Sequence, residues 1–128
     1  MILDTTFFID LLRNDSQAAK KVEELEEKNI KIATTTITVF ELWQGLRSSE
    51  PDKLRILNGI IDSIKVYPLD LQSAKNAGHI SNQLKKNGQM IDSEDALIAG
   101  IAIEQKEEIL TRNIKHFERI PHIKIHSY

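Results

Sequence analysis

The chain has 128 residues, enough for one hydrophobic core and too few for two. Its 17 Lys and Arg against 19 Asp and Glu leave a net charge of −2, which excludes a protein held on nucleic acid by bulk charge alone. It has no cysteine, so a disulfide framework, a thiolate zinc site and a catalytic thiol are excluded too.

In chain order, MIL predicts a short strand stopped at Asp4, with no basic segment before it to suggest a signal peptide. Phe7, Phe8, Leu11 and Leu12 then recur at helical spacing. SQAAKKVEELEEKN predicts an amphipathic helix capped by Ser16 and ending near Asn29. IKIATTT, β-branched and alternating, predicts a strand, and ITVFELWQGLRS (37–48) returns to helix. Pro51 and Asp52 open a helix through Ser63, and IKVYPL is a strand closed by Pro68. DLQSAKNAGHISNQLKKNG is a long helix with a Gly88 stop, and DSEDALIAGIAIEQK is a further helix. EEILT is a strand, RNIKHFERI a short turn or helix, and HIKIHS a final alternating strand. The longest apolar run, from Ala96 to Ile103, is too short to span a bilayer, so a cytoplasmic protein is expected.

Strands alternating with helices predict an α/β domain over residues 1–128, with a mainly parallel central sheet covered by helices on both faces. Ligands of such sheets sit outside the carboxyl ends of the strands. Asp4 follows the first strand, and Glu41 lies early in the helix after IKIATTT. Asp92 and Asp95 open the apolar helix, and Asn113 follows EEILT. Each alone reads as an ordinary turn or helix-start residue: Asp4 as an N-cap, Thr38 to Glu41 as a capping box, Asp92 to Asp95 as a cap with acids favouring the positive helix end.

Together they read differently. Three acidic points and an amide converging on one edge are costly unless a cation neutralises them. Oxygen-only donors suit Mg²⁺, or Mn²⁺, over zinc. Asp92 and Asp95, three apart, share a helix face, while Glu94 is expected to point into solvent. Ala96 to Ile103 leaves no polar face, so that helix is expected to be buried and to give Asp92 and Asp95 a rigid base. Carboxylates, a metal and helix N-termini in one cleft make a phosphodiester-cleaving site.

MILDTTFFIDLLRND, TTTITVFELWQGL, IDSEDALIAGIA and ILTRNIKHFERIPHIKI occur in the order seen in PIN-domain ribonucleases. Over essentially the whole chain the sequence resembles that family, most closely the toxin half of VapBC toxin–antitoxin pairs. The resemblance implies a Mg²⁺-dependent endoribonuclease in which Asp4, Glu41 and Asp95 are metal-binding. Asn113 matches a fourth position where some members carry Asp, Asp92 is an additional acid, and Thr6 matches a hydroxyl residue near the first Asp. Asp92 or Glu118 is implied to orient the attacking water. The resemblance further implies an RNA substrate, a homodimer and a small VapB-like antitoxin covering the cleft. A PIN-like RNA-processing nuclease without an antitoxin, and a non-catalytic partner-binding PIN domain, stay open as alternatives.

Arg13, Arg112, Lys115 and Arg119 are candidate RNA contacts, against a reading as solvated surface charge. Trp43 could stack a base but fits core or interface packing better. His122 and His126 share the polar face of the last strand and lack a third zinc ligand, while His79 and His116 read as isolated. Two rivals fail on sequence. A phosphoacceptor receiver domain needs an acceptor Asp after a mid-chain strand, and IATTT supplies none. A haloacid-dehalogenase-type phosphatase needs a second Asp two residues after the first, where Thr6 stands.

Overall fold

The computed structural model describes residues 1–47 and 49–128. Five strands form one sheet: β1 (Ile2–Leu3), β2 (Ala33–Thr35), β3 (Lys65–Tyr67), β4 (Ile109–Leu110) and β5 (Ile125–His126). The spatial order is β3-β2-β1-β4-β5, and every neighbouring pair is parallel. The helices among the described residues are α1 (Thr5–Leu12), α2 (Ser16–Glu27), α3 (Thr36–Gly45), α4 (Pro51–Ser63), α5 (Leu71–Lys86), α6 (Ser93–Gln105) and α7 (Ile114–Phe117). The chain builds outward from β1 through β2 to β3, then crosses back to β4 on the other side of β1. The strand order therefore reverses between β1 and β4, which opens a crevice at their carboxyl ends.

Period-two alternation divides the core even in two-residue strands. Ile2 and Ile109 pack on one face with Ile80 and Leu84 of α5, Ile98 and Ile101 of α6, and Phe117 of α7. Leu3 and Leu110 pack on the other with Phe7 and Phe8 of α1, Ala18 and Leu25 of α2, Leu42 of α3 and Leu57 of α4. Helix α6 is buried as its composition predicts, with Ala96, Ile98, Ala99, Gly100, Ile101 and Ala102 all inaccessible. Its contact with α5 is tight at Gly100. A Cβ there would stand 2.4 Å from the Ser73 carbonyl oxygen and 2.8 Å from the Ala77 nitrogen.

The parallel sheet with helices on both faces is as expected, but several local details differ. The cap of α2 is Asp15, not Ser16: Asp15 Oδ1 accepts from the amides of Gln17 and Ala18, and Ser16 is already helical. Every strand is shorter than the segment the sequence predicts. Thr36, expected in the strand, is the first residue of α3, because Thr35 Oγ1 accepts from the Thr38 amide and starts the helix one step earlier. The last strand is only Ile125–His126. His122 adopts φ 67 in a turn, so it does not share a strand face with His126. Helix α3 ends at Gly45, and Ser48, the last residue of the helix expected over 37–48, lies outside the described residues.

Candidate active site

Asp4 sits at the carboxyl end of β1 and is buried, 4% exposed. Its position is over-determined. Oδ1 accepts from the Thr5 amide at 2.7 Å, and Oδ2 accepts from the hydroxyls of Thr6 at 3.2 Å and Thr111 at 2.8 Å. Thr111 directly follows β4, so the Asp4–Thr111 bond spans the crevice where the strand order reverses. Burial pushes the Asp4 carboxyl above its ordinary value even though these three donors favour the ionised form. A carboxylate has about four lone-pair positions, and three are taken, so one on Oδ1 remains for a further partner.

Glu41, 37 residues on, approaches from α3. It does not fold back as a capping-box residue. Its Oε1 accepts from the Thr5 hydroxyl at 2.9 Å, while Thr35 caps the helix. Asp92 stands at the N-cap of α6 but makes no capping hydrogen bond, so that role does not account for it. Asp95, one turn on, is held by His116: Nδ1 lies 2.7 Å from Asp95 Oδ2. Burial raises Glu41 and Asp95 above ordinary carboxyl values, and repulsion from Asp4 adds to both.

Asp4, Thr6, Glu41, Asp92, Asp95 and Asn113 all border one cavity of about 230 Å³, together with Thr5, Ile9, Glu94 and His116. Glu94 is exposed, as expected, yet it also lines this cavity and adds to the repulsion on Glu41. The acids have no basic counter-ion. Among the described residues, no Lys or Arg forms an ion pair with Asp4, Glu41, Asp92 or Asp95.

One oxygen each from Asp92 and Asp95 and one ring nitrogen of His116 lie within 4.8 Å of one another, a candidate metal-binding group. Ligand atoms about 2.1 Å from a small divalent ion are at most about 4.2 Å apart, so small side-chain rotations would close this group on a cation. The expected trio was Asp4, Glu41 and Asp95 with oxygen donors alone. Here the tightest group is Asp92, Asp95 and His116, with Asp4 and Glu41 facing it across the same cavity. His116 was missed because it read as isolated. The short helix α7 brings it under α6, one turn after Asn113.

The remaining candidates divide. Arg112 is drawn away: it pairs with Asp10 at 3.3 Å and Asp15 at 3.1 Å, and its guanidinium lies 4.8 Å from the centre of the Tyr128 ring. That makes it a brace between α1, the start of α2 and the final residue. Arg13, Lys115 and Arg119 border hollows beside the acidic cavity. Glu118 is exposed and does not line it. Trp43 is 37% exposed, so it is not a core residue. His79 and His122 are exposed, and His126 contacts Glu108 at 2.5 Å.

The fold is an all-parallel α/β sheet with carboxylates gathered where its strand order reverses. The chain belongs to the PIN-domain family, whose model matches residues 1–123. Its relatives in sequence are VapC proteins. It is 30% identical over 123 residues to Ribonuclease VapC19 of Mycobacterium tuberculosis, covering 96% of each chain. It is 30% identical over 129 aligned positions to the tRNA(fMet)-specific endonuclease VapC of Salmonella typhimurium, covering 99% of this chain and 96% of the other. In three dimensions it is similar to the DNA-bound VapBC structure from Salmonella typhimurium, with a TM-score of 0.87 at 28% identity, covering 98% of this chain and 96% of that one. Among the described residues no helix is long and apolar enough to cross a membrane.

Proposed function

We propose that this chain is a metal-dependent endoribonuclease and the toxin of a type II toxin–antitoxin pair. One observation carries the reading. Five carboxylates share a small cavity with, among the described residues, no Lys or Arg paired to them, although burial has raised three of them. Such a cluster asks for a cation. The donor set of mostly carboxylate oxygen with one imidazole suits Mg²⁺, and Mn²⁺ as well. Asp92 and Asp95 would hold the ion with His116 beside them, and Asp4 and Glu41 would approach from across the cavity.

Bound there, a divalent ion supplies an activated water and offsets the charge that builds on the phosphate. The chain's own residues do the rest. Thr5, Thr6 and Thr111 fix Asp4, and His116 fixes Asp95, so the charged oxygens are in place before substrate arrives. Glu41 Oε1 is occupied by Thr5, which leaves Oε2 to accept a proton from the attacking water, and burial makes Glu41 a stronger base than an ordinary carboxylate. Asp92 would orient that water.

The names of the relatives support the remainder: ribonuclease activity, an RNA substrate and a VapB-like antitoxin. Under this reading the chain, one PIN unit over residues 1–128, works in the cytoplasm as a homodimer. Phe40 and Trp43, three apart on α3 and 56% and 37% exposed, offer apolar surface for association. The test is RNA cleavage by purified protein with Mg²⁺. Asp4→Asn and Asp95→Asn should remove cleavage and keep the fold. Cleavage that survives both substitutions and a chelator would sink the reading.

A further inference from the structure

Two hollows border the acidic cavity and share lining residues with it. On the Glu41 side, a hollow of about 300 Å³ shares Ile9 and Glu41 with it and carries Arg13, Arg47 and Lys53. On the Asp92 side, a hollow of about 320 Å³ shares Asp92 and His116 with it and is otherwise walled by Met90, Ile91, Lys115 and Arg119. Both hollows therefore set basic residues beside the acidic cavity.

The Asp92-side hollow has two unusual properties. Among the described residues, Lys115 and Arg119 form no ion pair, whereas Lys53 on the opposite flank is held by Glu50 at 2.6 Å and Arg112 by Asp10 and Asp15. Met90, by contrast, is 71% exposed at the lip of the same hollow. Two uncommitted cations beside an exposed, polarizable apolar side chain match a nucleotide, which presents an anion and an aromatic ring together.

The setting narrows this to one substrate class. A polyanion crossing five carboxylates is repelled unless its neighbouring phosphates are held by cations. A base can reach Met90 only if it is not stacked and paired in a duplex. We propose that Met90, Lys115 and Arg119 form a nucleotide subsite for single-stranded RNA. Lys115 and Arg119 take the phosphate adjacent to the cleaved bond, and Met90 supports the base. Arg13 and Arg47 hold the strand on the other flank. This subsite rests on the nuclease reading but is tested apart from it.

The probe is a fluorescein-labelled single-stranded oligoribonucleotide, and the readout is its anisotropy against KCl concentration in the presence of chelator. Lys115→Gln with Arg119→Gln should weaken binding at least tenfold and flatten the slope of log K against log salt by about 0.7, the value for the one phosphate the pair holds. Lys115→Arg with Arg119→Lys should restore both. Met90→Ala should weaken binding about threefold and leave the slope unchanged, since it removes no charge. The same RNA annealed to its complement should lose the Met90 effect. Wild-type affinity and slope in the Gln variant, with circular dichroism unchanged, would overturn the subsite and leave the hollow to an acidic protein partner. Cleavage by the wild-type protein is scored separately. RNA binding that depends on these residues without any cleavage defeats the nuclease reading alone.

Discussion

The hydroxyl of Thr111 donates a 2.8 Å hydrogen bond to Oδ2 of Asp4, joining residues 107 positions apart across the crevice between β4 and β1. The Thr111 oxygen also accepts from the Asn113 amide at 2.9 Å, so one buried hydroxyl ties together Asp4 and Asn113, two residues of the acidic cavity. Thr111→Val keeps the shape and removes both bonds. It should cost about 1–3 kcal/mol in urea unfolding and weaken metal binding, because Asp4 loses one of its three donors. Thr111→Ser should retain most of both. A Val variant with wild-type stability and metal affinity would show that the hydroxyl plays no part in holding Asp4.

His116 holds Asp95 from a different helix. His116→Ala should lower Mn²⁺ affinity roughly 10- to 100-fold, the usual effect of removing a group that orients a ligand. Calorimetric titration of the purified protein reads this without reference to RNA cleavage. His116→Gln, which can still donate to the carboxylate, should recover part of the loss. Equal Mn²⁺ affinity in all three proteins would exclude His116 from the site.

The raised carboxyls fix the sign of a pH effect. Asp4, Glu41 and Asp95 hold protons more tightly in the folded chain than at their ordinary values of 3.8 or 4.5, chiefly because of burial. Such groups make the folded state less stable as pH rises from the unfolded value through the folded one. The metal-free protein should therefore melt at a higher temperature near pH 5 than near pH 7. Below about pH 4.5 the trend should reverse, as Glu24, held down to about 2 by Lys28 and Lys21, and the similarly lowered Glu50, Asp70 and Glu108 become protonated. Asp4→Asn should remove activity and reduce this pH dependence of the metal-free protein. Calorimetry in chelator checks both. A metal-free wild type that gains stability steadily from pH 5 to pH 7 would contradict the burial argument.

Gly100 tests the platform beneath Asp92 and Asp95. Its missing side chain lets α6 meet the α5 backbone, where a Cβ would stand 2.4 Å from the Ser73 oxygen. Gly100→Ala should destabilise by about 3 kcal/mol in spite of alanine's better helix propensity, because the clash is with backbone and cannot be relieved by a rotamer change. By comparison, Gly78→Ala on α5, where nothing lies within 4 Å, should be neutral or slightly stabilising. Denaturant midpoints of the two variants decide the point.

The sequence by itself determined the layout. Helical and strand periods depend on which residues recur at short spacing, and that is written locally. Alternating strands and helices, the buried run from Ala96 to Ile103, and acids at the strand-to-helix junctions were all legible for this reason. Only the tertiary structure decided how those acids are used. Glu41 satisfies a capping-box pattern, yet packing of α1 against α3 offers it the Thr5 hydroxyl instead. His116 looks isolated until α7 folds under α6, and Arg112 looks like a substrate contact until Asp10 and Asp15 claim it. In each case the partner is chosen by which surfaces the sheet brings together, and spacing along the chain does not encode that choice.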